Sequence, residues 1–157
     1  MQSITPFLTF DGRAEEAIRF YCSLFKDSKI ISMDRWDVAG PAAKGSVVGA
    51  RFRLAGQEFM AMDVPGGFPK GEGVSIYVNC DTQEQVDLLY EKLSVGGEKQ
   101  PCGWLKDKYG FSWQIIPSAL PDLLSKSQGA RKQAVIDAML KMGKIEIKGL
   151  QEAYEKA

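Results

Sequence analysis

Apolar and polar positions along the chain follow a two-residue rhythm and a three-to-four-residue rhythm in turn, twice over. Ser3–Phe10 (SITPFLTF) is rich in β-formers and predicts a strand, which Asp11-Gly12 ends. From Arg13 to Phe25, apolar residues fall at Ala14, Ala17, Ile18, Tyr21, Cys22, Leu24 and Phe25, the spacing of an amphipathic helix. Lys29–Asp37 and Ser46–Leu54 predict two further strands around a loop at Ala39–Gly45 that holds proline and glycine. Gln57–Asp63 predicts a fourth, joined to the third by a tight hairpin turn at Ala55-Gly56. After Val64–Gly73 (VPGGFPKGEG), which reads as a linker, the pattern restarts. Val74–Cys80 predicts a strand. A helix capped by Asp81 or Thr82 runs to about Val95, with Val86, Leu89, Tyr90 and Leu93 on one face, and Gly96-Gly97 ends it. Three short β-like pieces follow, Gly97–Trp104, Leu105–Lys108 and Phe111–Ile116, with a turn over Asp107–Gly110.

Strand, helix and three strands thus occur twice, in residues 3–63 and 74–117, joined by a linker at 64–73. This predicts one α+β domain over 1–157, built from two βαβββ modules with a helical extension at 118–157. In the extension, Pro117–Ser127 reads as a connection with a short helical turn. Ala130–Met142 predicts a helix, with Val135, Ile136, Met139 and Leu140 at helical spacing, and a last helix starts near Glu146.

Charge and residue usage narrow the function. Lys+Arg and Asp+Glu are 20 each, so no basic excess draws in a phosphate backbone or an anionic bilayer, and neither nucleic acid nor membrane is expected as a partner. The apolar runs are too short to span a bilayer, and Met1–Phe10 lacks the basic and apolar regions of a secretory signal, so the cytoplasm is expected. Cys22, Cys80 and Cys102 form no CxxC pair. Histidine is absent, which removes Ser-His-Asp and Cys-His catalysis and every histidine-containing metal site.

Three segments carry a family resemblance. Pro6-Phe-Leu-Thr-Phe10 followed by Ala14-Glu-Glu-Ala-Ile-Arg-Phe-Tyr21 resembles the first strand and "EEAIxFY" helix of PhnB-like proteins. Ala55-Gly-Gln-Glu-Phe-Met-Ala-Met-Asp63 is similar to their "GxxFxAxD" hairpin, and Asp107-Lys-Tyr-Gly-Phe-Ser-Trp-Gln114 to their "DKFGxxWxI" ending. These proteins form a branch of the vicinal-oxygen-chelate (glyoxalase/bleomycin-resistance) superfamily. The resemblance implies paired modules forming a sheet around a cavity, a homodimer, and a small organic ligand. The branch is often labelled 3-demethylubiquinone-9 3-methyltransferase. Yet the one glycine-rich stretch, Val64–Gly73, does not open a helix as a cofactor-binding turn would.

Metal-dependent relatives hold an ion with four side chains. Counted from shared landmarks, these positions fall on Pro6, Ala61, Ser75 and Gln114. Gln114 alone is a fair donor, so neither metal nor cofactor is expected. If Ser75 and Gln114 face the cavity, strand alternation adds Tyr77, Asn79, Ser112 and Ile116 in the second module, and Pro6, Leu8, Phe10, Phe59, Ala61 and Asp63 in the first. The expected ligand-binding set is therefore Leu8, Phe10, Phe59, Ser75, Tyr77, Asn79 and Gln114, an apolar and aromatic lining with a few hydrogen-bonding groups. Asp63, ending its strand, is the candidate general base; it equally suits a cap on the turn before Pro65. Two functions follow: a metal-independent module that sequesters a small compound, or an atypical enzyme using Asp63 with Tyr77 and Gln114. A dimer with a structural or regulatory role and no ligand is a third. Binding is the expectation, since chemistry needs a titratable or metal centre and Asp63 is the single candidate.

Overall fold

The computed structural model describes all 157 residues, which divide into two compact units, Met1–Pro69 and Lys70–Ala157. The first unit contains β1 (Phe7–Phe10), α1 (Ala14–Leu24), β2 (Lys29–Arg35), β3 (Val47–Leu54) and β4 (Gln57–Asp63), with sheet order β1-β4-β3-β2. The second contains β5 (Ile76–Cys80), α2 (Gln83–Ser94), β6 (Glu98–Lys99), β7 (Trp104–Lys106) and β8 (Ser112–Pro117), in the equivalent order β5-β8-β7-β6. In each, the outer pair is parallel and the rest antiparallel. Helices α3 (Ala119–Lys126), α4 (Gly129–Leu140) and α5 (Ile147–Lys156) complete the second unit.

In the first unit, α1 buries Ala14, Ala17, Ile18 and Tyr21 against one face of its sheet. That face carries Leu8, Phe10, Ala50, Phe52, Phe59, Ala61 and Asp63, paired across strands as Leu8 with Ala61, Phe10 with Asp63, and Phe52 with Phe59. The rings of Phe52 and Phe59 stack with centroids 5.5 Å apart. The hairpin turn is of the primed kind, with φ +47° at Ala55 and +83° at Gly56, which matches the twist of its strands. In the second unit, Thr82 caps α2 by accepting from the Gln85 amide, while the Gln85 side chain accepts from the Asp81 amide, a variant of the capping box. Val86, Leu89, Tyr90 and Leu93 are buried, as are Leu105, Trp113 and Ile115 on alternate sheet positions. Each such large side chain contributes about 1.5–3 kcal/mol of hydrophobic stabilisation.

Several boundaries depart from expectation. The first strand begins at Phe7 rather than Ser3, and the fifth at Ile76 rather than Val74. The strand expected over Gly97–Trp104 shrinks to Glu98–Lys99, because Pro101 donates no amide and Cys102 and Gly103 both take left-handed backbone (φ +62° and +80°). The connection after Pro117 is a two-turn helix, α3.

The extension has its own core of Leu120, Val135, Ile145 and Leu150, built onto Ile116 of β8. Three devices hold it there. Cys102 and Gly103 donate amides to the carbonyls of Met142 (2.9 Å) and Gly143 (2.7 Å). Gln83 donates to the Ile145 carbonyl (2.9 Å) and accepts from the Ile147 amide (2.8 Å). Gly103 lies so close that a Cβ there would sit 2.8 Å from the Ile115 carbonyl and 3.0 Å from Ile145.

Candidate functional site

Strand pairing in the second unit places Tyr77, Gln114 and Trp104 side by side across β5, β8 and β7. Alternation adds Asn79 and Lys106 to the same face, opposite the one where Leu105, Trp113 and Ile115 are buried; Ser112 and Ile116, expected there too, are themselves buried, Ile116 in the core of the extension. Ser75 stands one residue before β5 and accepts a hydrogen bond from Gln114 Nε2 at 2.8 Å. This bond fixes the amide and leaves Gln114 Oε1 to accept and the Ser75 hydroxyl to donate. Tyr77 is 52% exposed. Partial burial, and secondarily the charge field of Cys80, raises its pKa, so the phenol keeps its proton at neutral pH. Lys106 pairs with Glu72 at 3.0 Å, which raises its pKa as well. Four expected residues, Ser75, Tyr77, Asn79 and Gln114, thus share one face. Lys106 joins them, unforeseen, and so does Trp104, whose ring the sequence offers for stacking on a planar ligand, although core or interface is the expected reading.

The first-unit expectations require correction. Leu8, Phe10 and Phe59 are buried on the sheet face that packs against α1, where no ligand reaches them. The face opposite α1 carries the alternate residues, exposed Phe7 with Thr9, Met60 and Met62. The positions counted onto Pro6 and Ala61 put both strands one residue out of register, and in a strand that moves every side chain to the other face.

Asp63 lies on the α1 face too, 5% exposed. Its Oδ1 accepts from the Ala14 amide and its Oδ2 from the Val47 amide, each at 2.9 Å. Arg13 at the N-cap position supplies no side-chain acceptor, so Asp63 serves as that cap from across the fold. Asp107 has a parallel role in the second unit. Its Oδ1 accepts from the amides of Tyr109 and Phe111, and its Oδ2 from the Trp113 indole at 2.9 Å.

A divalent metal does not fit these side chains. No three Cys, Asp or Glu converge anywhere in the chain, and the faces opposite the helices offer an amide, hydroxyls and thioethers. Correcting the first-module register replaces Pro6 and Ala61 with Phe7 and the soft thioethers of Met60 and Met62, poor donors for a hard divalent ion.

Two βαβββ units of this topology define the glyoxalase/bleomycin-resistance fold. The fosfomycin resistance protein FosX of Listeria monocytogenes, crystallised with Mn(II) and sulfate, shares the fold at a TM-score of 0.53 and 16% identity, over 71% of this chain and 88% of that one. Within that class, the chain belongs to the family whose model is described as 3-demethylubiquinone-9 3-methyltransferase, which matches residues 2–116. The PhnB protein of Bacillus cereus is 43% identical, with a TM-score of 0.68, over 74% of this chain and all of that one. The extension lies beyond the family match. Over an alignment of 94 residues, 54% of this chain, it is 31% identical to tRNA pseudouridine synthase D of Thermus thermophilus; the chain spans about a quarter of that relative's length (26%). No helix is long and apolar enough to cross a membrane.

Proposed function

We propose that this protein binds a small polar aromatic compound without a metal and without transforming it. The observation that carries this is the Gln114–Ser75 pair, hydrogen-bonded and flanked on one strand face by Tyr77 and Trp104. The two rings give stacking area, while the oriented amide and hydroxyl fix a ligand's polar edge. The titratable groups on this face, Tyr77 and Lys106, both hold their protons at neutral pH. That suits recognition and leaves no base poised for proton transfer. Asp63 is set aside as a base because its two oxygens serve main-chain donors. The family resemblance supports a cytoplasmic homodimer, which light scattering tests by a mass of twice the chain.

A thermal-shift screen of phenolic, quinonoid and amide-bearing aromatics tests the proposal, with mass spectrometry of each stabilising compound after incubation. A compound recovered unchanged, whose stabilisation is lost in Gln114→Ala and Tyr77→Ala, supports it. Chemical conversion of the compound, or equal stabilisation of both variants, refutes it.

A further inference from the structure

The extension creates a groove that the matched family region alone does not possess. It runs between the Tyr90–Glu91 flank of α2, the Lys99–Pro101 segment after β6, and Leu140–Lys144 between α4 and α5, with a volume of about 530 Å³. This is within the usual range of small-molecule sites. Its walls are pinned: Tyr90 Oη donates to the Gln100 carbonyl at 2.8 Å, and the Cys102 and Gly103 amides hold the Met142 and Gly143 carbonyls.

The lining combines apolar side chains with charged ones. Leu140, 58% exposed, stands with Pro101 and Met142. Four charged side chains line the groove: Lys99, Lys141, Lys144 and Glu91. Glu91 is neutralised by Lys99, which reaches both its oxygens at 2.8 Å. Lys144 is shared between Asp87 at 2.8 Å and Glu146 at 3.6 Å. Lys141 has no ion-pair partner, which leaves an uncommitted ammonium beside an exposed leucine. The C-terminal carbonyls of α4, which would repel an anion, are partly screened. Ala138 O accepts from the Lys141 amide, and Met139 O from the Met142 amide.

From this we propose a second binding site, for a small amphipathic carboxylate whose anionic head meets Lys141 and whose hydrocarbon body lies along Leu140, Met142 and Pro101. The site is independent of the Tyr77–Gln114 face, and its occupant bridges the extension to the family module.

Octanoate is the probe, with octanamide and octylammonium as neutral and cationic counterparts, read by calorimetry and by backbone amide shifts in ¹⁵N-labelled full-length protein. Octanoate is expected to shift the amides of Lys99, Gln100, Cys102 and Leu140–Lys144. Octanamide should bind about tenfold more weakly, and octylammonium more weakly still. Lys141→Ala should weaken octanoate about tenfold and Leu140→Ser roughly fivefold. Both residues are at the surface, so amide dispersion should show both variants folded. Gln114→Ala should bind octanoate as the parent does, which separates this site from the proposed ligand face. The proposal is overturned by any of three results: no shifts at about 5 mM octanoate, shifts centred on Tyr77 and Gln114, or unchanged affinity in Lys141→Ala.

Discussion

Replacing Asp63 with asparagine separates a structural carboxylate from a catalytic one. The carboxylate accepts two main-chain hydrogen bonds at 2.9 Å in a buried site, one from the first turn of α1 and one from the start of β3. Asparagine keeps one acceptor and turns an NH₂ toward the other donor. The loss is one charge-assisted bond, worth about 1.5–3 kcal/mol, and the carboxylate's interaction with the helix N-terminus, worth roughly 0.3–1 kcal/mol. The expected destabilisation is about 3 kcal/mol, which at an m-value of about 2 kcal/mol per molar urea lowers the unfolding midpoint by roughly 1.5 M. A double-mutant cycle sharpens the test. Arg13→Asp places an acceptor at the vacant N-cap position, so Asp63→Asn should cost about 1 kcal/mol less in that background. The assay is urea denaturation followed by far-UV circular dichroism, alongside binding of any compound found by the screen. If Asp63→Asn stays within about 0.5 kcal/mol of the parent yet abolishes conversion of a compound, Asp63 is a base and the capping assignment fails.

Four further outcomes are expected. Asp107→Ala strips partners from two amides and the buried Trp113 indole and should cost about 3–4 kcal/mol, a fall in Tm of roughly 10 °C; a fall under about 3 °C would show that these bonds are dispensable. Gly103→Ala forces a Cβ against the Ile115 carbonyl at left-handed φ and should loosen the extension, read as faster limited proteolysis within 118–157; an unchanged digestion pattern would sink the docking argument. Ala55→Gly relieves positive φ in the hairpin turn and should raise stability by about 0.5–1 kcal/mol, checked by the urea midpoint. Glu15 is held at about 2, below its ordinary 4.5, first by its bond to Arg35 and then by Arg19. Its contribution is therefore complete above pH 4.5 and fades as pH falls toward 2, and Arg35→Gln should flatten the acid limb of stability between those values.

The sequence was most legible where local chemistry dictates geometry. The three- and four-residue spacing from Ala14 to Tyr21 placed α1, and a cap at Asp81 or Thr82 started α2, because caps and amphipathic stripes act within a few residues. Periodicity also set Ser75, Tyr77, Asn79 and Gln114 on one face, since the spacing from Asp107 to Gln114 crosses a tight turn without slack. It failed for Leu8, Phe10 and Phe59, where the landmark positions Pro6 and Ala61 put their strands one residue out, and one residue reverses a strand. A local check existed. The "GxxFxAxD" segment puts Phe59, Ala61 and Asp63 in alternation, and the large apolar stripe of α1 had to cover one face; Phe59 and Phe10 are better matched to that cover than Phe7 and Met60. The groove beside Lys141 was illegible for another reason: its walls come from residues some forty positions apart that meet only once the extension docks.

The residues that carry the family resemblance turn out to be largely scaffolding. Asp63 ties α1 to its sheet, Asp107 ties its turn to Trp113, and Ala14, Ala17 and Tyr21 fill the interface beneath α1. Such positions determine that two βαβββ units form, and they say little about what is bound. The side chains free to meet a ligand on the second unit's sheet, Tyr77, Asn79, Trp104 and Gln114, occupy the alternate positions of the same strands. Because the two sets interleave with period two, selection can alter one without disturbing the other. In this chain the shared scaffold carries a face built from two amides, hydroxyls and aromatic rings. The family label follows the scaffold, and the proposed ligand is to be sought on the interleaved positions.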